Sequence, residues 1–529
     1  MKNIKFSHCL IIIVMASLLV LTCGKVYNTG DGAYDKPKSI DPNKSVFVKL
    51  SSSYVEDDSY WKDATDNVQD AIEFAAKQEN NKTHVLIMAG TYKPTDRPNT
   101  ITGGTAARQV HFSLRNNVTV IGGFVGNEVM LEPAGEATIF SGDLGGNDST
   151  TGVKTDNVYH VFYHPALTGL DNTAILQNVT ITGGYADVDG NGAGMYNYDS
   201  SPILIMCNFT KNSAPVRQYG RGGGMYNYEG NPKLVKCTFD ENSVIIYAIA
   251  TGWSGYSDYS SGGGIYNSRG NIELIDCTFT KNSVSSYATS SALACRSELK
   301  GGGLFNESGS VILTNCIFVE NSVSATNIAT DTSSSSSAIG DARAGASGGG
   351  MFDQIGNSKL TNCIFNSNSA ISYSTAYYYS NAYTHGGGMA HVGGSPELLN
   401  CTFSNNSISS SATSSASDAV SYAYGSGLYN QGRTKLTSCT FTANDATASS
   451  ASIAEAYGGG LYNQGANGSY LCDVTLYGNC VFNKNKVTGK TAHGGAIYNG
   501  IYTSLLGSIP VYGIDENANS PDDNYSITP

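Results

Sequence analysis

Hydrophobic residues in this chain come in short runs that alternate with polar residues, as in "MYN", "KLVKCTF" and "IELIDCTF". Glycine, asparagine, serine and aspartate separate the runs, and no apolar stripe within these units is long enough for a helix. Alternation with β-branched and aromatic residues is typical of half-buried strands, and the separating residues are typical of turns. The pattern therefore predicts many short β-strands joined by tight turns.

The runs belong to a repeated unit, as in "GGGMYNYEGNPKLVKCTFDENSV" (222–244) and "GGGIYNSRGNIELIDCTFTKNSV" (262–284). The residue after the glycines recurs every 30 to 47 residues, at Met195, Met225, Ile265, Leu304, Met351, Met389, Leu428, Leu461 and Ile497. A motif with such a period indicates an array of stacked units. Because one unit cannot bury its apolar face alone, the sequence predicts a parallel β-helix in which each copy forms one coil.

We expect each coil to add one residue to each of several buried columns. These columns are formed by the residue after the glycines, the leucine three residues before the cysteine, the phenylalanine and the cysteine itself. The cysteine column contains Cys207, Cys237, Cys277, Cys316, Cys363, Cys401, Cys439 and Cys480. Adjacent strands lie ~4.8 Å apart, but parallel side-chain directions oppose disulfides. We therefore expect free, buried thiols.

Two columns of asparagine are also predicted. One contains Asn227, Asn267, Asn306, Asn430, Asn463 and Asn499, which we expect at left-handed turn positions with their amides stacked in a hydrogen-bonded ladder. The other contains Asn212, Asn242, Asn282, Asn321, Asn368, Asn406, Asn444 and Asn485. His391 occupies an asparagine position of the first column, so we expect it to have a structural, hydrogen-bonding role.

The first 23 residues, "MKNIKFSHCLIIIVMASLLVLTC", have two lysines followed by an apolar segment of about a dozen residues. This segment is too short for a membrane span and is typical of a signal peptide. Its end resembles a bacterial lipoprotein signal, in which Cys23 would be lipidated; ordinary cleavage nearby is the alternative. We expect an exported protein with a signal at 1–23 and a polar tether at 24–44.

An N-terminal cap and the first coils are expected at 45–185, the glycine-rich repeat coils at 186–500, and a C-terminal coil or cap at 501–529. The segment "DNVQDAIEFAAKQEN" predicts one amphipathic helix with Asp66 as its N-cap. The apolar face of this helix comprises Val68, Ala71, Ile72, Ala75 and Ala76. Such a helix would cover the open end of the stack.

The N-terminal segments "VLIMAGTYKP" and "LQNVTITGG" resemble the first coils of pectin-lyase-like right-handed β-helix proteins. The GGAI and FxxN elements, as in Phe239 to Asn242, resemble the repeats of polymorphic outer membrane proteins. The resemblance implies an all-β protein: a single-stranded right-handed parallel β-helix solenoid with an N-terminal capping helix and protruding Ser/Ala/Tyr-rich inserts. It also implies adhesion at a cell surface. Only about 30 residues follow Asn499, so we expect the lipid anchor to replace the membrane barrel that ends some family members.

The inserts lie between FxxN and the next glycines and vary greatly in length. We expect them to project from one face and to stack partly into a lateral sheet, with loose loops as the alternative. Their aromatic residues are the candidate binding face, because exposed tyrosine and tryptophan make good contacts; packing against neighbouring inserts is the alternative. These residues are Trp253, Tyr256, Tyr259, Tyr373, Tyr377, Tyr378, Tyr379, Tyr383, Tyr422 and Tyr424.

The formal charge of -12 and the absence of a basic run exclude a nucleic-acid partner. Acidic residues do not recur in register, so no catalytic residue is predicted. "DVDGNG" matches the start of a calcium loop, which makes Asp187, Asp189 and Asn191 candidates for weak calcium binding, with a polar turn as the alternative. "SGDLGGND", with Asp143 and Asp148, is a similar candidate.

Together these features predict a non-catalytic adhesion or binding lipoprotein, held in the outer membrane by its lipid anchor or secreted. Its partner would be a surface protein or glycan of a host or of bacteria. The alternatives are a polysaccharide lyase or glycoside hydrolase of the pectin-lyase-like fold, and a structural surface-layer protein.

Overall fold

The computed structural model describes residues 40–53, 59–95, 105–126, 133, 135–250, 256–291, 294–330, 341–415, 418–465, 472–500, 504–507, 511–512, 519–520 and 524–526. Strands of successive coils pair in parallel, and the fold is a right-handed parallel β-helix as the sequence predicts. Three sheets, A, B and C, enclose one continuous hydrophobic core; we call them the tube. Two further sheets, D and E, consist of the inserts; we call them the fin.

The strands of sheet A are Ser45–Val48, His84–Met88, Thr119–Phe124, Ile175–Gln177, Ile203–Ile205, Lys233–Val235, Ile272–Ile275, Val311–Thr314, Lys359–Thr361, Glu397–Leu399, Arg433–Thr437, Asp473–Tyr477 and Ser504–Gly507. Those of sheet B are Gly90–Tyr92, Thr138–Ser141, Thr180–Thr182, Asn208–Thr210, Thr238–Asp240, Thr278–Thr280, Ile317–Val319, Ile364–Asn366, Thr402–Ser404, Thr440–Thr442, Val481–Asn483 and Val511–Tyr512. Those of sheet C are Phe162–His164, Met195–Tyr198, Met225–Tyr228, Ile265–Ser268, Leu304–Ser308, Met351–Gln354, Met389–Val392, Leu428–Gln431, Leu461–Asn463, Ile497–Asn499 and Asn524–Ser526.

In the fin, the strands of sheet D are Ser213–Val216, Ser243–Ala250, Ser283–Ser290, Ser322–Ala329, Ser369–Ala376, Ser407–Ser414, Asp445–Ser450 and Lys486–Thr488. Those of sheet E are Tyr256–Asp258, Cys295–Lys300, Asp341–Ser347, Tyr379–His385, Ala419–Tyr424, Ile453–Tyr457 and Thr491–His493. The helical elements are Val68–Ala76, the single turn Asp148–Thr151, and the 3-10 turns Pro42–Lys44, Gln78–Asn80 and Ala106–Arg108.

Regular columns fill the tube. The phenylalanines of sheet B stack face to face, and the ring centroids of Phe209 and Phe239 and of Phe279 and Phe318 are both 4.6 Å apart. The eight column cysteines are buried and free. Their thiols donate to carbonyl groups of the preceding coil, as from Cys237 Sγ to Leu204 O over 3.4 Å. Side-chain packing and hydrogen bonds therefore join each coil to the coils beside it.

The asparagines of sheet C form the expected ladder. The prediction that they adopt a left-handed backbone conformation is wrong. Asn227 lies inside a strand and donates from Nδ2 to Asn267 Oδ1 over 2.7 Å. The left-handed positions belong to partly or fully exposed residues at the strand ends, such as Glu229 and Lys236, with φ of 60° and 54°. A buried amide needs partners on both sides. Asn267 has them, because its Oδ1 accepts from Asn227 and its Nδ2 donates to Asn306 Oδ1 over 2.8 Å.

The helix Val68–Ala76 covers the start of sheet A and buries Val68, Ala71, Ile72 and Ala75. Its N-cap is Asn67, not Asp66, because Asn67 Oδ1 accepts from the backbone N–H groups of Gln69 and Asp70. Either side chain can cap a helix, so the sequence alone did not decide between Asp66 and Asn67. None of the helices within the described ranges is both long enough and apolar enough to cross a membrane.

The inserts are stacked sheets rather than loose loops. Small residues alternate with larger ones along the fin strands, and the small ones point into the space between sheets D and E. Serine pairs join the two sheets, as between Ser286 Oγ and Ser297 Oγ (2.9 Å) and between Ser410 Oγ and Ser421 Oγ (2.8 Å). The narrow fin interior therefore depends on alanine and serine, which explains the composition of the inserts.

Candidate functional site: a slot between tube and fin

The outer face of sheet C carries one aromatic residue per coil. In the motif "MYN" the first and third side chains face the tube interior, so the middle one faces outward. The resulting aromatic column contains Tyr196, Tyr226, Tyr266, Phe305, Phe352, Tyr429, Tyr462 and Tyr498. Neighbouring rings stack, with centroids 5.3 Å apart for Tyr226 and Tyr266 and 5.5 Å apart for Tyr429 and Tyr462. Between Phe352 and Tyr429 the column position is Ala390.

A second column lies on the facing surface of sheet E. Strand register places Lys300, Ser347, His385, Tyr424 and Tyr457 one above the other. Where rings meet, a member of this column packs over the sheet C ring of the next coil. The centroids of His385 and Tyr429 are 4.5 Å apart, and those of Tyr424 and Tyr462 are 4.7 Å apart.

We call the slot the space beside the coil at which this packing between sheets C and E is interrupted. Ser347 stands between Lys300 and His385 in the sheet E column, and Ala390 stands between Phe352 and Tyr429 in the sheet C column, so both columns carry a small side chain there. A cavity of about 290 Å³ results. It is lined by Glu298, Leu299, Lys300, Arg343, Gly345, Ser347, Phe352, Gln354, Tyr383, His385, Val392, Tyr429 and Gln431.

Cations dominate the charge of the slot. Lys300 Nζ lies 5.0 Å from the centroid of Phe352, and the guanidinium of Arg343 lies 4.9 Å from the centroid of Tyr383. Burial lowers the pKa of Lys300, although the nearby carboxylates of Glu298 and Glu307 oppose this shift. Burial, and then Lys300, lower the pKa of His385 to about 4, so its imidazole is neutral at pH 7. The slot thus holds two cations and the Glu298 carboxylate, in a chain of net charge -12.

The structure separates the tyrosines that the sequence grouped as one binding face. Tyr383, Tyr422 and Tyr424 share the surface of sheet E beside the slot, with the rings of Tyr383 and Tyr422 stacked at 5.4 Å. Tyr373 is half-exposed on sheet D, on the other side of the fin.

Four further aromatic candidates lie away from the slot. Tyr377 and Tyr378 lie in the turn between a D strand and an E strand, and Tyr379 is half-exposed at the start of the E strand. Tyr259 stacks on Tyr219 at 6.2 Å. Trp253 and the side chain of Tyr256 lie outside the described residues, as does Cys23.

The calcium candidates are engaged by other partners. Asp187 forms an ion pair with Arg108 (2.9 Å), and Asp189 lies 3.3 Å from His160 Nε2. Asn191 Nδ2 donates to the carbonyl of Asp189 over 2.8 Å. Within the described ranges, no three His, Cys, Asp or Glu side chains converge on a metal position. These contacts hold the three residues in one turn against the first coils, and calcium binding there stays a prediction.

The second calcium candidate is a turn as well. Asp143 Oδ1 accepts from the backbone N–H of Gly146 over 2.6 Å, and its Oδ2 accepts from that of Asp148 over 3.1 Å. Asp148 Oδ2 accepts from Asn157 Nδ2 over 3.0 Å. The motif thus shapes its own loop.

His391 occupies the asparagine column of sheet C. Its Nδ1 lies 3.4 Å from Asp353 Oδ2, and both side chains are fully buried. Asp353 in turn accepts from Asn306 Nδ2 over 2.7 Å. His391 therefore continues the column of sheet C, but neither of its ring nitrogens has a hydrogen-bond partner among the described residues, so the hydrogen-bonding role expected for it is not seen. It is not among the residues that line the slot.

Sequence reasoning did not identify Lys300, Arg343, Ser347 and Ala390 as one site. One signal was present: the copy "GGGMAH" has alanine where the other well-kept copies have tyrosine or phenylalanine. The chain matches no protein-family model, no curated protein and no solved structure.

Proposed function

We propose that this protein is an exported, non-catalytic adhesion protein that binds glycans in the slot. The observation that supports this proposal is the cavity lined by the aromatic rings of Phe352 and Tyr429 together with the cations Lys300 and Arg343. Aromatic faces with a few convergent polar groups are typical of ligand sites. The resemblance of the repeats to polymorphic outer membrane proteins, and of the first coils to pectin-lyase-like proteins, supports a role at the cell surface.

The slot is less suited to glycoside hydrolysis. That reaction ordinarily uses two carboxyl groups on either side of the bond that is cut. Glu298 is the one carboxylate among the residues that line the slot. The hydrolase alternative therefore receives no support from this site.

Glycan binding can be tested directly with the purified protein on a glycan array. We expect binding to a subset of glycans, with affinity reduced at least tenfold in Tyr429→Ala. Tyr228→Ala, on the same sheet but away from the slot, is the matched control and should bind as the wild type does. Absence of glycan binding, or equal loss in both variants, would refute the proposal.

Surface location requires a separate test. We propose that Cys23 is lipidated and anchors the protein in the outer membrane with the fin outside the cell. Protease treatment of intact cells should then remove the fin, while a periplasmic protein survives. Protection of the fin until the outer membrane is opened would exclude adhesion.

A further inference from the structure

We infer that the slot binds a single acidic sugar ring at the end of a glycan, with the sugar carboxylate on Lys300. This inference deepens the proposed function and depends on it. It adds the class of sugar, the direction of entry and the residue that decides the preference.

The dimensions of the slot suit one ring. Phe352 and Tyr429 are two coils apart, so their rings are separated by about 10 Å at the usual strand spacing. Neighbouring rings of the column are about half as far apart, at 5.6 Å for Phe305 and Phe352. One guest ring can therefore stack between Phe352 and Tyr429 and restore the spacing that Ala390 interrupts.

The neighbouring levels close the slot along the tube. Lys300 packs over Phe352 on one side, and His385 packs over Tyr429 on the other. A polysaccharide running along the groove would have to displace these pairs. A glycan that enters by its last ring avoids this displacement.

The charge of the slot selects an anion. No described carboxylate forms an ion pair with Lys300, whereas Lys233 and Lys435, on the outside of sheet A, each have a glutamate partner. The Lys300 ammonium lies over an aromatic face, in a partly dehydrated position where an added carboxylate gains more than it would in water. Arg343 adds a second cation, and with the carboxylate of Glu298, two residues from Lys300 on the same strand, the lining keeps one net positive charge.

The remaining lining favours a sugar over an aromatic side chain of a protein. Gln354, Gln431 and Tyr383 add hydrogen-bonding groups to the slot. Ser347 Oγ lies 3.2 Å from His385 Nδ1 and is a further donor or acceptor. Hydroxyl groups of a sugar can pair with these groups, whereas a phenyl ring would cover them without offering partners.

The test is calorimetric titration of the full chain with glucuronic acid and with glucose, which differ only in the carboxylate. N-acetylneuraminic acid serves as a second acidic probe. We expect at least one of the two acids to bind tenfold or more tightly than glucose. Lys300→Met retains the apolar stem and should abolish that preference. Lys359→Met, on an exposed lysine of sheet A, is the matched control and should retain it.

A second variant tests the position of the ligand. Ala390→Tyr completes the aromatic column and fills the slot, so it should abolish binding of every sugar probe while its thermal unfolding stays at or above that of the wild type. Ser347→Tyr fills the slot from sheet E and is the substitute if Ala390→Tyr does not fold.

The outcomes separate the two proposals. Equal binding of acid and glucose, unchanged in Lys300→Met, would overturn this inference and leave glycan binding intact. Unchanged binding in both slot-filling variants would overturn the site itself. Binding of a tyrosyl-aspartate peptide, with no response to any sugar or glycan, would overturn both proposals and indicate a protein partner.

Discussion

Replacement of Asn321 by alanine tests the buried asparagine column at the turn that follows sheet B. Asn321 Oδ1 accepts from both the backbone N–H and the Nδ2 of Asn282, each over 3.0 Å. Its Nδ2 donates to Phe279 O over 2.9 Å and to Asn368 Oδ1 over 3.0 Å. The side chain is fully buried, so water cannot replace these four hydrogen bonds without entering the tube.

The magnitude follows from the groups that alanine leaves without partners. The backbone N–H of Asn282 loses its acceptor, which costs ~1–3 kcal/mol for a buried group. The three other hydrogen bonds contribute ~0.5–1.5 kcal/mol each. Because some of these groups keep other partners, as Asn282 Nδ2 keeps Phe239 O, we expect a net local loss of about 4 kcal/mol.

Hydrogen exchange followed by mass spectrometry is the suitable assay, because a stacked array opens coil by coil rather than as a whole. A loss of about 4 kcal/mol should accelerate exchange about 1,000-fold in peptides covering 278–290 and 317–329. Peptides beyond Leu428 should be unaffected. The matched control is Asn271→Ala, because Asn271 Oδ1 also accepts from a backbone N–H, that of Ser310 (2.9 Å), but in an exposed position. If Asn321→Ala exchanged no faster than Asn271→Ala, the asparagine column would not stabilise the coils.

Three further predictions concern other parts of the molecule. Burial raises the pKa of Asp258 to about 6, so folding favours its protonated form and the stability of the protein should fall as the pH rises from about 4 to above 6. In thermal unfolding, Asp258→Asn should be more stable than the wild type at pH 7, and its stability should not depend on pH in this range. An unchanged pH dependence in Asp258→Asn would contradict the assignment. Burial raises the pKa of the Cys237 and Cys277 thiols well above the usual range. Ellman's reagent should therefore label them only after the protein is denatured. Rapid labelling of the native protein would show that the cysteine column opens. A Cβ on Gly263 would lie 2.5 Å from the carbonyl oxygens of Gly302 and Ser283, so Gly263→Ala should lower the unfolding midpoint steeply or prevent folding. In Gly345→Ala the Cβ would lie 3.3 Å from Ser297 O, a contact that a small shift relieves, so the midpoint should fall much less; equal losses in the two variants would contradict the reasoning.

The columns inside the tube could be predicted because their spacing is local and repeated. Phe239 lies 17 residues after Gly222, and six of the eight copies keep this spacing, while the asparagine follows the phenylalanine by three residues in all eight. The backbone conformation of Asn227 could not be read in the same way. Asparagine is common both in left-handed turns and in buried ladders, and only the neighbouring coil, which supplies the Asn267 oxygen, decides between them.

The slot could not be predicted because it depends on register across two sheets. Ser347 belongs to the fin and Ala390 to the tube of the next coil, and their levels coincide only once the strands are aligned. The lengths of the inserts vary, so sequence distance gives no measure of that alignment. Tyr373 and Tyr383 show the same limit, since they are close in sequence but lie on opposite faces of the fin.

The nearest-neighbour construction of the tube has a mechanical consequence. A force applied to one end of the chain should unfold one coil at a time, because each asparagine amide forms hydrogen bonds only with adjacent coils. Successive asparagines are 39 residues apart from Asn282 to Asn321, 47 from Asn321 to Asn368 and 38 from Asn368 to Asn406. At ~3.5 Å per extended residue, unfolding one coil would release roughly 130 to 165 Å of extended chain. Drawn out in an optical trap, the molecule would lengthen in steps whose sizes record the lengths of its repeats.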